Sequence, residues 1–195
     1  MKAILLAAGF ARRFGSQKLL ARLPDGRCVV EAATQNLFDA MGRSNVIAVV
    51  GEDAALIKVL EQCGSEVTVN VEAESGMGSS IAAGIRASAD AAGWLIALGD
   101  MPHVLPQTIT RVCETLESGA GRVIPTFNGA RGHPVAFAKD YRDELLALRG
   151  DQGARGVVAA ADPRRVVYLP VADSGVLADI DTPEDLSLPK ATHQT

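Results

Sequence analysis

Ile4-Leu5-Leu6-Ala7-Ala8-Gly9-Phe10-Ala11-Arg12-Arg13-Phe14-Gly15-Ser16-Gln17-Lys18 is the stretch that decides the fold. Its first five residues are wholly apolar, as in a strand buried on both faces. The run stops at Gly9, just before two arginines, so it is too short for a membrane span and reads better as a first strand than as a secretory leader. A glycine-rich basic segment directly after such a strand is a β–α loop. In open α/β sheets, ligands bind at this carboxyl end of the strands.

Working outward, apolar runs alternate with helical periodicity. Val30, Ala33, Leu37, Ala40 and Met41 recur at helical spacing. Residues 45–50 form a β-branched strand, 54–61 a short helix, and 66–71 an alternating strand. Residues 79–91 are Ala-rich and helical, and 94–98 are a further buried strand. Ile109, Val112, Cys113 and Leu116 mark a one-sided helix before a strand at 122–125. This β-α-β-α order implies an α/β fold, a mainly parallel sheet with helices on both faces and right-handed crossovers. Beyond residue 127 the pattern loosens. A turn-rich stretch at 128–134 precedes a strand at 135–137, helices near 140–148 and 153–161, and a strand at 166–169. The segment Asp181-Thr182-Pro183-Glu184-Asp185-Leu186 opens a last helix. No linker divides the chain, so one domain is expected over 1–188, with a disordered tail at 189–195.

Composition narrows the function classes. Net charge is −4, which argues against a global field for nucleic acid, and aromatics at 4% argue against base-stacking platforms. The first 24 residues nevertheless carry Lys2, Arg12, Arg13, Lys18 and Arg22 and no acid. That asymmetry suggests a local anion site. Cys28, Cys63 and Cys113 are odd in number and widely spaced, as expected of reduced thiols in a cytoplasmic protein with neither disulfide nor zinc framework. No partner membrane or nucleic acid is expected.

Several constellations carry candidate chemistry. Glycines in the 9–18 loop let backbone N–H groups approach phosphate oxygens, while Arg13 and Lys18 offer a planar fork and a point charge. The loop matches neither the P-loop pattern nor the dinucleotide fingerprint. Asp100, in Leu98-Gly99-Asp100-Met101-Pro102, ends a strand and points into the crevice; it suits Mg²⁺, which takes one or two carboxylates plus phosphate oxygens, or else caps the next segment. Asp179 and Asp181 share one side of an extended segment, so either is a second metal candidate. Thr182 as N-cap and Pro183 at the first helical position give a purely structural alternative. In Glu74-Ser75-Gly76-Met77-Gly78-Ser79-Ser80, Ser79 and Ser80 either cap a helix or contact a base. Arg131 and His133, in a turn with Gly132 and Pro134, suit an anionic acceptor. So do Asp151 and Arg155 in Gly150-Asp151-Gln152-Gly153-Ala154-Arg155, which otherwise merely connects two helices.

In this order, the Leu6–Lys18 loop, Gly76 to Ile81, Gly99 to Pro102, Arg131 to Phe137, Gly150 to Arg155 and Asp179 to Leu186 resemble the MobA-like nucleotidyltransferases, above all the molybdenum cofactor cytidylyltransferases. The likeness covers residues 4 to about 186. It implies a Rossmann-like nucleotidyltransferase fold and Mg²⁺. Leu6, Ala8 and Gly9 would hold the nucleotide, Arg13 and Lys18 its phosphates, Asp100 and Asp181 the metal, residues near Ser80 the base, and His133 the acceptor. Ala11 departs from the family's usual glycine or small hydroxyl. Ala8 stands where the guanylyl branch carries a glycine, which is compatible with a pyrimidine. The implied reaction transfers CMP from CTP to the phosphate of a pterin cofactor, with transient contact to a molybdoenzyme or its chaperone. The alternatives are guanylyl or other nucleotidyl transfer to a sugar phosphate or methylerythritol phosphate, and a non-catalytic nucleotide-binding delivery protein.

Overall fold

The computed structural model describes residues 1–8, 18–150 and 163–187 of the chain. Its centre is an eight-stranded sheet in which the strands follow the order β3-β2-β1-β4-β7-β5-β6, with β8 paired to β5. The strands β1 (Lys2–Ala7), β2 (Val46–Val50), β3 (Glu66–Val69) and β4 (Gly93–Leu98) are parallel. The strand β7 (Val135–Ala138) runs against both β4 and β5 (Arg122–Phe127), and β8 (Val166–Pro170) returns parallel to β5.

Period-two alternation in buried strands divides the core into two layers. Ala3, Leu5 and Ala7 of β1 face α1 (Val29–Met41), α2 (Ala54–Cys63) and α4 (Pro106–Glu117), while Ile4 and Leu6 face α3 (Met77–Ala87) and α5 (Arg142–Leu146). The expected helices on both faces are therefore present. Contact on the second face is close because Gly84 of α3 lies against Ile4 and Val49; a methyl group there would overlap the Ile4 side chain. The helix α3 ends at Ser88, whose hydroxyl donates to the Gly84 carbonyl at 2.8 Å and accepts from the buried Trp94 indole at 3.0 Å.

The chain leaves β1 for β2 and β3 on one side, then crosses back to place β4 on the other. This reversal opens a crevice between the carboxyl ends of β1 and β4, the place where such sheets bind ligands. Gly99 pins the two ends together, its N–H donating to the Leu6 carbonyl at 2.9 Å.

Four expectations need correction. The helix expected over 79–91 begins at Met77, so Ser79 and Ser80 lie inside it and do not cap it. The 128–134 turn contains a short strand, β6 (Ala130–Arg131), made possible by positive φ at Asn128 and Gly129. The helix expected near 140–148 shrinks to Arg142–Leu146 after a 3₁₀ turn. Among the described residues, the last helix is a 3₁₀ stretch, Pro183–Ser187. Thr182 stands directly before that stretch, and its hydroxyl donates to the Asp185 carboxylate at 3.1 Å. The Asp185 carboxylate accepts the Asp181 and Thr182 N–H groups at 3.0 and 2.7 Å, and only Leu186 has an apolar cluster to join. The helix expected at 153–161 and the tail from 189 lie outside the described residues.

Candidate active site at the sheet switch point

The crevice gathers side chains from three distant parts of the sequence. Lys18 starts a short 3₁₀ turn, Lys18–Leu20. Asp100 follows β4 directly, and Asp181 follows an extended segment tied to it, because the Ile180 N–H donates to the Asp100 carbonyl at 2.9 Å. The Lys18 ammonium bridges both acids, with Nζ at 2.9 Å from Asp100 Oδ2 and 3.1 Å from Asp181 Oδ1. Asp100 therefore caps no helix; α4 starts six residues later with Pro106 at its first position.

Lys18 is largely covered, its side chain 11% exposed. Burial by itself lowers the ammonium's pKa, but hydrogen bonds and charge attraction to Asp100 and then Asp181 outweigh it and hold the pKa above the ordinary lysine value. Asp179, exposed but partly covered, makes no ion pair with Lys18 among the described residues. Partial burial, then the nearby Asp181 and Asp100 charges, push its carboxyl above the ordinary value. Asp181 is thus the member of the pair that faces Lys18.

The other candidates have distinct surroundings. Leu6 is buried in β1 and Ala8 is half-buried just beyond it. Ser79 and Ser80 are 2% and 3% exposed, and both hydroxyls accept from the Asn70 amide, at 2.9 and 3.0 Å. Their side chains join α3 to the turn after β3 and do not open on the crevice. Arg131 is exposed, its guanidinium 4.8 Å from the centre of the Tyr168 ring. His133 is half-buried beside Leu98 and Met101, in the wall of a small cavity beneath the end of β4. Its N–H donates to the Val176 carbonyl at 2.9 Å. Gly9, Arg13, Asp151 and Arg155 lie outside the described residues.

Sequence reasoning missed three polar residues here. Asn70 carries a weak signal as a lone amide after a β-branched strand. Asp185 lies within the Asp-Thr-Pro-Glu-Asp run. Asp173 has no local signal, since one of its partners, Leu105, is 68 residues away.

Two carboxylates on one cation, at the carboxyl edge of a switch point, offer a hard-oxygen donor set for a divalent metal that leaves other positions to phosphate oxygens and water. No group of three or more His, Cys, Asp or Glu among the described residues could hold a metal alone. The donor set therefore fits a metal–triphosphate ion better than a protein-only cage.

Fold and crevice together define a nucleotidyltransferase-type α/β domain. The MobA-like NTP transferase domain family matches residues 3–166, and the chain belongs to that family. The chain is 29% identical to the purine catabolism protein PucB of Bacillus subtilis, over 95% of this chain and 93% of that protein. It is 28% identical to nicotine blue oxidoreductase of Paenarthrobacter nicotinovorans, over 94% and 93%. Identity to the molybdenum cofactor cytidylyltransferase of Escherichia coli is 23%, over 93% and 91%. Among solved structures, Rv0371c of Mycobacterium tuberculosis in complex with manganese superposes with a TM-score of 0.74 at 28% identity, covering 94% of each chain. No helix among the described residues is long and apolar enough to cross a membrane.

Proposed function

We propose that the protein transfers CMP from CTP to the terminal phosphate of a pterin cofactor and releases pyrophosphate. The observation that carries this reading is the Asp100–Lys18–Asp181 arrangement in the crevice. The similarity to a molybdenum cofactor cytidylyltransferase supports the choice of nucleotide and acceptor. The manganese complex of Rv0371c supports a divalent ion, for which we take Mg²⁺.

In this account the triphosphate lies along the 9–18 loop, with Arg13 and Lys18 on its phosphates. Asp100 and Asp181 would hold Mg²⁺, which would supply neutralisation of the triphosphate charge. The Lys18 ammonium, beside both acids, would add a point charge for the phosphates. An acceptor phosphate oxygen attacks the α-phosphorus, forming one P–O bond while the α–β anhydride bond breaks and its electrons leave on pyrophosphate. A phosphate monoester has a second pKa of about 6, so the attacking oxygen is already largely ionised at neutral pH and needs no strong base. The chain's task is positioning and charge stabilisation. Arg131, His133, Asp151 and Arg155 serve the acceptor side.

The test is pyrophosphate release from CTP, GTP, ATP and UTP, with pterin phosphate, a sugar phosphate or methylerythritol phosphate as acceptor. Release dependent on both CTP and the pterin phosphate is expected. Release with GTP alone would overturn the cytidylyl assignment, and release with another acceptor would overturn the pterin assignment. Triphosphate binding without release for any acceptor would identify a delivery protein instead.

A further inference from the structure

Asp173 is 1% exposed, yet its two carboxylate oxygens look in different directions. Oδ2 accepts the Leu105 N–H at 2.9 Å, and Oδ1 accepts the Gly175 N–H at 2.9 Å. Leu105 ends the loop that leaves Asp100, and Gly175 lies in the 3₁₀ turn Ser174–Leu177, four residues before Asp179. The two loops are in direct contact, since a side chain at Gly175 would collide with the His103 carbonyl. A second tie lies closer to the crevice, where the Ile180 N–H meets the Asp100 carbonyl. A third runs from the His133 N–H to the Val176 carbonyl in the same turn.

We infer that Asp173 is a positioning residue that sets the separation of Asp100 and Asp181. The inference rests on the proposed reading of those acids as the divalent-metal pair. The physical reason is that a buried carboxylate whose two oxygens each hold a backbone N–H fixes two chain segments at once. Either N–H left unmade in the interior destabilises the contact it belonged to. The Asp181 segment has no strand of its own to hold it: residues 178–182 are irregular, and Asp181 and Thr182 are exposed. Its place relative to β4 therefore depends on Asp173 at one end and on the Ile180 tie at the other. Asp173 touches no substrate; it acts through the two acids, and through Val176 on the His133 backbone.

The test compares Asp173→Asn and Asp173→Ala with Asp53→Ala. Asp53 is a fair control because it also holds two backbone N–H groups, Ala55 and Leu56 at 3.0 and 3.1 Å, but at the start of α2. The first readout is amide hydrogen exchange without ligand. The Leu105 and Ile180 amides should lose protection in both Asp173 variants and keep it in Asp53→Ala. The second is Mn²⁺ binding in the presence of CTP, followed by the paramagnetic signal of the ion. Its apparent dissociation constant should rise about 10-fold in Asp173→Asn, the scale seen when a partner that orients metal ligands is lost. Asp53→Ala should leave it unchanged. The third is turnover at saturating metal, which should fall less than the metal requirement rises. Unchanged protection at Ile180, or unchanged Mn²⁺ affinity in both Asp173 variants, overturns the inference. If wild-type protein binds no Mn²⁺ with CTP, the metal reading fails, and the metal-positioning role fails with it. Lost protection at Ile180 would then leave Asp173 as a loop clamp only.

Discussion

The two halves of the sheet are built differently. In β1, β2 and β4 nearly every residue is buried, and the strands are parallel neighbours with helices above and below. In the second half, β6 is two exposed residues, β8 is mostly half-exposed, and β7 runs antiparallel to its neighbours. The first half is a closely packed platform whose carboxyl edge leads into Ala8 and Asp100. The second half sends back loops, and through them it contributes His133 and Asp181. In the proposed reading the nucleotide is held by the carboxyl edge of the first half, with Asp181 reaching it from the second, while Arg131 and His133 of the second half serve the acceptor.

Variants in the two halves should therefore separate by reactant. The largest effect is expected for Lys18→Ala, a turnover loss of roughly 10²–10³-fold, typical of removing one group that stabilises transition-state charge. Steady-state kinetics with purified, folded variant checks it; near wild-type turnover would end the assignment. His133→Ala and Arg131→Ala should raise the acceptor KM by about 10-fold, on the order of 1.4 kcal/mol, and leave the nucleotide KM unchanged. Equal effects on both reactants would erase the division between halves.

A fourth variant probes the platform itself. Gly84→Ala puts a methyl group against Ile4 and should destabilise by about 1–3 kcal/mol, as overpacking does. Denaturant unfolding measures it, and an unchanged midpoint would mean that α3 is not tightly seated.

The smallest effect belongs to Asp179. Its carboxyl titrates above the ordinary 3.8 because burial and the neighbouring acids oppose its charge. The folded state then binds a proton more readily than the unfolded state. Stability from this group is full below about 3.8 and is lost as pH rises through the folded pKa. Asp179→Asn should thus raise Tm slightly at pH 7 without metal, with the gain vanishing below the ordinary carboxylate range. A lower Tm at pH 7 would contradict that sign.

The legibility of the sequence follows the same division. Uninterrupted apolar runs and 3.6-residue periodicities made β1 to β4 and α1 to α4 readable, because their burial is written locally. Lys18, Asp100 and Asp181 are each picked out by motif, and the family resemblance joins the two acids on one metal beside the basic loop; the direct ion pairs from Lys18 to both acids are not legible, since 163 residues separate Lys18 from Asp181. Ser79 and Ser80 looked like site hydroxyls because their partner, Asn70, lies outside the motif. The Asp181–Leu186 run looked like a helix start, since Thr182 and Pro183 have the right chemistry for one. Asp185 does bond back to the Asp181 and Thr182 N–H groups, as at a helix start, but the described residues that follow form a 3₁₀ turn. Short strands such as β6 have no periodicity to read.

We propose that Asp100 and Asp181, joined by Lys18, form the metal–triphosphate site. The most direct test is thermal unfolding of wild type and Asp100→Asn with CTP, with and without Mg²⁺. At 100 times its dissociation constant, a ligand adds about 2.7 kcal/mol of stability. The account predicts a CTP-dependent rise in Tm that Mg²⁺ enlarges in wild type and does not enlarge in Asp100→Asn. An equal Mg²⁺-dependent rise in both proteins would contradict it.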